Sequence, residues 1–267
     1  MSTILDTIIE EKRKEIERFK PLSSIERFAK EGFFWEINNR SMKASLTSGQ
    51  STGLIAEFKR KSPSKGWFKD ESMEVEPIVV TYNNSGASGI SVLTDKKFFG
   101  GDLDDLIQTK VITDVPVLRK DFIIDEWQIA ESKAFGADVI LLIAACLSPT
   151  EVKTLAKYAR SIGLESILEI HNEEELDHIC DEVDMIGVNN RDLKTFEVNI
   201  ETSLRLINKI PTGKPAIAES GINSVDSIVT LRKAGFAGFL VGEAFMKEPD
   251  PAIAFADFVK KLKAKVE

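Results

Sequence analysis

The sequence predicts an α/β fold, a single (β/α)8 barrel with an N-terminal helical extension, and three observations carry that expectation. Eight short apolar runs recur from residue 54 onward, spaced on average by about 26 residues, close to the roughly 30 of a strand-helix-strand unit. The runs are continuously apolar rather than alternating, as strands covered on both faces are. Helical stretches separate them, and no G-x-G-x-x-G follows the first run. A doubly wound open sheet is the competing architecture, because it also alternates strands and helices. Eight units with no evident second half favour closure into a barrel.

Residues 1–50 form the expected extension. Ile4, Leu5, Ile8, Ile9, Ile16 and Phe19 recur at three- and four-residue spacings among charges, with Thr3 as a candidate cap. This describes an amphipathic helix ending before Pro21. A second short helix is expected over 23–30, and 45–53 reads as a polar Ser/Thr/Gly linker. The barrel then occupies 51–267. Its strands are LIAEF from 54, GISVL from 89, VPVLR from 115, DVILLIA from 138, SILEI from 166, MIGVN from 185, PAIAES from 215 and AGFLVG from 237. Helices are expected over 125–135, 148–162 (Pro149 just inside, Gly163 just after) and 224–234 (followed by Gly235).

A chain of 267 residues suits one such barrel or two small domains. Hydrophobic residues make up 43% and charged residues 29%, enough for a sizeable core and against disorder. The net charge of −8 argues against dedicated nucleic-acid binding. The longest apolar run, 139–147, is too short to span a bilayer, and acids stand near the amino terminus where a signal peptide would be apolar. A cytoplasmic chain with no membrane association is the expectation. Cys146 and Cys180 lie far apart, which excludes a disulfide framework and a thiolate zinc site and leaves two inert core thiols. His171 and His178 are the only histidines, too few for a multi-histidine metal centre or a histidine-based triad. Any proton transfer then falls to Lys and Glu.

In a barrel, functional side chains cluster at the carboxyl ends of the strands. Glu57 and Lys59 close the first, Lys120 the third, Glu169 the fifth, Asn189 the sixth and Glu219 the seventh. Charges also mark strand ends that simply enter solvent, but convergence of these groups on one rim predicts a site. Glu169, between Leu168 and Ile170, would sit in low-dielectric surroundings that raise its pKa toward an acid/base range. Lys120 has two readings. Kept charged by carboxylates across the mouth it is a proton donor; kept neutral by burial it is a Schiff-base nucleophile.

Ser220, Gly221 and Gly242 place small residues and free backbone N–H groups where barrels often hold a phosphate. Ser62, with Lys61 and Lys65, adds a hydroxyl and cations after the first strand. Simple turns and a basic surface run are the ordinary accounts of these residues; a monophosphorylated small substrate is the functional one. Phe98, Phe99 and Phe122 would add aromatic surface to the rim, in keeping with an aromatic substrate or with core packing. Arg191 is suited to gripping a carboxylate, or to an ordinary ion pair.

These residues resemble the indole-3-glycerol phosphate synthase family. The similar segments are AEFKRKSPSKG at 56–66, SVLTDKKFFGG at 91–101, VPVLRKDFI at 115–123, LEI at 168–170, IGVNNRDLKTF at 186–196, AESGI at 218–222 and LVGEAFM at 240–246. The resemblance covers nearly the whole chain. It implies a decarboxylating cyclase of tryptophan biosynthesis, acting on an anthranilate ring joined to a deoxyribulose phosphate. Lys120 would be the general acid at the ketone oxygen, Glu169 the base or acid of the dehydration, and Glu57 the group that balances the lysines. Lys59 would hold the anthranilate carboxylate, Asn189 and Arg191 would orient substrate, and Glu219 would support the ring-closing hydroxyl. The resemblance further implies phosphate contacts at Ser62, Ser220, Gly221 and Gly242, and an aryl pocket of Phe99, Phe122, Leu141 and Leu193. Glu243 stands where some members carry Ser, so its backbone N–H alone would face the phosphate. The first helix has no Trp to complete the aryl pocket. No metal or organic cofactor is implied, and association with other tryptophan-pathway enzymes stays open, a monomer being the expectation otherwise. Another sugar-phosphate barrel enzyme, an isomerase or a Schiff-base aldolase, and a non-catalytic barrel scaffold are the alternatives.

Overall fold

Parallel strands close into a barrel wherever an apolar run stands in the sequence. In the computed structural model, which describes residues 3–193 and 195–266, they are β1 Leu54–Phe58, β2 Gly89–Leu93, β3 Val117–Lys120, β4 Val139–Ile143, β5 Glu165–Ile170, β6 Met185–Asn189, β7 Ala216–Glu219 and β8 Gly238–Val241. Each pairs with its sequence neighbours, and β1 pairs with β8 to complete the ring. Ile55, Leu118, Leu141, Ile167, Met185, Ile217 and Leu240 pack together inside the barrel. Their outward neighbours Ala56, Leu142, Leu168, Ile186, Ala218 and Phe239 pack in the shell beneath the helices. Both faces are covered, which is why the runs do not alternate. The same two-residue parity turns Glu57, Lys120, Glu169, Asn189 and Glu219 inward at the strand ends.

Before the barrel come α1 Ile4–Phe19, α2 Ile25–Glu31 and α3 Met42–Thr47; within it lie α4 Glu76–Ser85, α5 Lys96–Phe99, α6 Leu103–Ile112, α7 Glu126–Ala134, α8 Pro149–Ser161, α9 Glu201–Leu206, α10 Val225–Ala234, α11 Glu243–Met246 and α12 Pro251–Val266. Caps set the boundaries. Thr3 and Asp6 form a capping box on α1, Asp125 and Gln128 on α7, and Ser148 and Glu151 on α8, while Gly235 ends α10 in the left-handed conformation. Among the described residues no helix is long and apolar enough to cross a membrane.

The linker expected over 45–53 is corrected in its first part: Met42–Thr47 is a helix, started by the Ala44 N–H donating to Ser41 Oγ at 2.9 Å. Met42 and Leu46, one turn apart, are buried and join the barrel interior. A Cβ on Gly89 would strike Met42, and one on Gly238 would crowd Leu46; both glycines begin strands, so α3 plugs the amino-terminal end of the barrel. Two apolar residues in a Ser-rich segment make too little periodicity to announce a helix, and it is packing on the barrel floor that stabilises this one.

At the opposite end α1 covers the mouth. Lys12, 4% exposed, places Nζ 2.8 Å from Asp95 Oδ2 and 3.2 Å from Asp121 Oδ1. Burial opposes this charge, but the carboxylates outweigh it and hold the ammonium above the ordinary lysine range. Asp121 directly follows the rim residue Lys120, so this ion pair ties the covering helix to the rim. Lys12→Met would leave Asp95 buried without its cation. We expect a loss of about 3 kcal/mol of unfolding free energy, seen as a lower urea midpoint. An unchanged midpoint would remove the pair from the account of stability.

Candidate active site

The inward strand ends and the loops that follow them enclose a cavity of about 470 Å3 at the barrel mouth. Most of the rim residues named from the sequence line it: Glu57, Lys59, Ser62, Phe99, Lys120, Phe122, Leu141, Glu169, Asn189, Arg191, Leu193, Glu219, Ser220, Gly221, Gly242 and Glu243. Phe98 does not; its ring lies 5.6 Å from Lys97 Nζ. Lys61 also turns away, donating to the Lys97 carbonyl at 2.7 Å and standing over the Trp67 ring. A small hairpin pairing Lys61–Ser62 with Gly66–Trp67 directs it there.

At the centre is one ammonium between two carboxyl groups. Lys120 Nζ lies 3.2 Å from Glu169 Oε2 and 3.7 Å from Glu219 Oε2. Burial opposes the lysine charge, yet Glu169, Glu219 and Glu57 outweigh it and hold Lys120 above its usual range. Burial by itself would protonate both carboxyls, and the two are separated by their partners. Glu169 faces Lys120, His171 and the Asn189 side-chain amide, which donates to Oε1 at 3.2 Å; these overcome burial and hold it well below the ordinary carboxylate range. Glu219 is pushed up to about 8 by burial and by the charge on Glu169. Its Oε1 is buried without a hydrogen-bond partner, against the α-carbon of Gly187. The expectation that burial raises Glu169 is therefore corrected: the raised group is Glu219, two strands further on.

Beside this trio, Lys59 Nζ pairs with Glu57 Oε1 at 2.6 Å, and Glu57 rests on the α-carbon of Gly242. Phe99 and Phe122 form the aromatic wall, ring centres 5.9 Å apart. Ser220 and Gly221 both have positive φ, 65° and 73°, a strained choice for Ser that turns this loop sharply inward. Glu243 is not an idle side chain: it pairs with Lys65 and, at 3.3 Å, with Arg191. Arg191 thus grips a carboxylate of the protein itself.

Sequence reasoning missed the roof and one support. Ile4, Leu5 and Ile8 of α1 line the cavity; their amphipathic spacing signalled a buried face without saying what it covers. His171, dismissed for want of other histidines, has Nε2 3.2 Å from Glu169 Oε1. Its signal was the two-residue step from Glu169, which returns the chain to the same side. Cys146 and Cys180 are free, and burial pushes the Cys146 thiol up to about 12, as for an inert thiol. Among the described residues no group of three or more His, Cys, Asp and Glu is arranged to hold a metal ion.

A model of the indole-3-glycerol phosphate synthase family matches residues 5–258. A protein of that name from Bacteroides thetaiotaomicron is 48% identical over 98% of this chain and 100% of its own length. Another from Chromobacterium violaceum is 41% identical over 96% and 97%. Among solved structures, a mutant tryptophan synthase alpha-subunit from Pyrococcus furiosus superposes with a TM-score of 0.60 at 16% identity, covering 79% of this chain and 98% of that one; at this identity the likeness is one of fold.

A Cβ at position 187 would overlap Glu219 Oε1 and crowd Ile167. We expect Gly187→Ala to shift the Glu219 carboxyl and lower kcat on the order of tenfold or more, with the far-ultraviolet circular dichroism unchanged. Wild-type turnover would show that the position of Glu219 is immaterial.

Proposed function

The chain belongs to the indole-3-glycerol phosphate synthase family, and from that premise we propose a division of labour among its rim residues. The enzyme is a carboxy-lyase that converts 1-(2-carboxyphenylamino)-1-deoxyribulose 5-phosphate to indole-3-glycerol phosphate, closing the ring with loss of carbon dioxide and water. The observation that carries our reading is the Lys120 ammonium between Glu169 and Glu219, in a cavity walled by Phe99 and Phe122. Lys120 donates a proton to the substrate ketone as the aryl carbon attacks it. Loss of carbon dioxide restores the aromatic ring. A carbinol remains and must lose hydroxide. Two carboxyl groups with pKa values pushed apart supply an acid and a base for this second step. Glu219, protonated, gives its proton to the departing hydroxyl; Glu169, ionised, takes the proton released as the new ring becomes aromatic.

Lys59 holds the anthranilate carboxylate and Glu57 balances its charge. Phe99, Phe122, Leu141 and Leu193 enclose the aryl group. Holding the ring against the carbonyl carbon in a site roofed by Ile4, Leu5 and Ile8 supplies proximity and excludes water. The phosphate lies on Ser62, Ser220, Gly221 and the backbone at Gly242 and Glu243, with Lys65 and Arg191 as the nearby cations. Asn189 fixes Glu169 from the neighbouring strand. A Schiff-base aldolase is disfavoured, because imine formation needs a neutral amine and the surrounding carboxylates keep Lys120 charged.

Indole fluorescence reads the reaction directly. Purified protein given the anthranilate adduct should develop an indole signal, and Lys120→Ala should lose on the order of 10² or more in kcat while staying folded. A well-folded wild type that gives no signal would overturn the function, and full turnover by the variant would remove Lys120 as the acid.

The pH profile tests Glu219 separately. A group that works protonated loses activity as pH rises through its pKa, so kcat/KM should fall above about 8. Glu219→Gln should abolish that limb. Persistence of the same limb in the variant would assign it to another group.

A further inference from the structure

We propose that His171 is a positioning residue for Glu169, keeping that carboxylate turned toward Lys120 and available as a proton acceptor. The inference rests on the assignment of Glu169 as the base. His171 is not among the residues lining the cavity, so its influence on the reaction runs through Glu169. Its ring is 8% exposed and lies between two carboxylates. Nε2 faces Glu169 Oε1 at 3.2 Å as an ion pair without hydrogen-bond alignment, and Nδ1 faces Glu175 Oε2 at 3.1 Å. Glu175 is held in turn: the His171 backbone N–H donates to its Oε2 at 2.7 Å, and the Asn172 amide donates to Oε1 at 2.9 Å. The loop thus grips the imidazole from behind and presents it to the base.

The other groups around Glu169 are Lys120 of β3 on its second oxygen, Asn189 of β6 sharing the first, and Glu219 of β7 opposing its charge. Farther out, Arg13 of α1 and Glu151 of α8 act on the Cys146 thiol, which also feels Glu169. Lys120 cannot keep Glu169 ionised throughout the reaction, because it is itself the group that gives up a proton. At that moment the carboxylate would lose its cation and become a competitor for the proton. An imidazolium on the other oxygen stays in place and keeps Glu169 an acceptor. In line with this, burial would neutralise the ring, but Glu169 and Glu175 outweigh it and push His171 up to about 10.

Two measurements decide it. Nitrogen-15 NMR of the imidazoles, with His178→Gln leaving His171 as the single histidine, should show protons on both ring nitrogens at pH 8 in the otherwise intact enzyme. A neutral ring there overturns the proposal. His171→Asn should lower kcat on the order of tenfold with KM within about twofold, because the side chain touches no substrate. Removing the cation frees the Glu169 pKa to rise, so the acidic limb of kcat should move to higher pH by about one unit or more. A lower kcat with an unmoved limb marks a merely structural role and overturns the inference alone. Glu169→Gln serves as the control: if it dehydrates the carbinol at the wild-type rate, the base assignment fails and the inference falls with it.

Discussion

A single ammonium shared by two buried carboxyl groups is the constraint around which this site is organised. Two carboxylates that close cannot both be ionised in a low-dielectric mouth, and one cation cannot neutralise both. The protein resolves the conflict by unequal support. Glu169 receives Lys120, Asn189 and His171, whereas Glu219 receives a share of Lys120 and a bare glycine. The pKa values of the two carboxyls are thereby pushed in opposite directions, Glu169 down and Glu219 up, without any difference in side-chain chemistry. The asymmetry depends on backbone as much as on charge, since the missing side chain at Gly187 is what gives Glu219 its room.

The barrel makes such a cluster affordable by holding its members on separate rigid strands. Adjacent strands place Asn189 opposite Glu219 and Glu169 opposite Gly187 in register, so the relative heights of these groups follow from hydrogen-bonded backbone. Below them the interior is filled by aliphatic side chains and stoppered by α3; above them α1 is drawn down by Lys12. The charged layer lies between an apolar floor and an apolar roof. That arrangement suits a reaction in which a proton is delivered to a ketone and carbon dioxide and water leave, because stray water in the mouth would weaken every interaction in it.

Much of this was legible in the chain. The eight apolar runs and the polar residue closing five of them announced both barrel and rim, because strand parity is periodic in sequence. Contacts set by the meeting of distant segments were not. Met42 and Leu46 look like scattered apolar residues until a barrel floor is placed over them. Ile4, Leu5 and Ile8 read as a buried stripe, but what they bury is decided some fifty residues later and beyond. The union of Lys65, Arg191 and Glu243 joins two loops and the start of α11, segments far apart in the chain.

Local pattern therefore determined the number and type of elements, the caps that bound them and the identity of the groups at the strand ends, since each depends on residues within a few positions of one another. Which of two glutamates is charged was decided only in three dimensions. Sequence places Glu169 in an apolar strand and predicts a raised pKa; the fold brings Lys120, Asn189 and His171 against it and reverses the sign. A pKa is a sum over neighbours in space, and those neighbours come from other strands and loops.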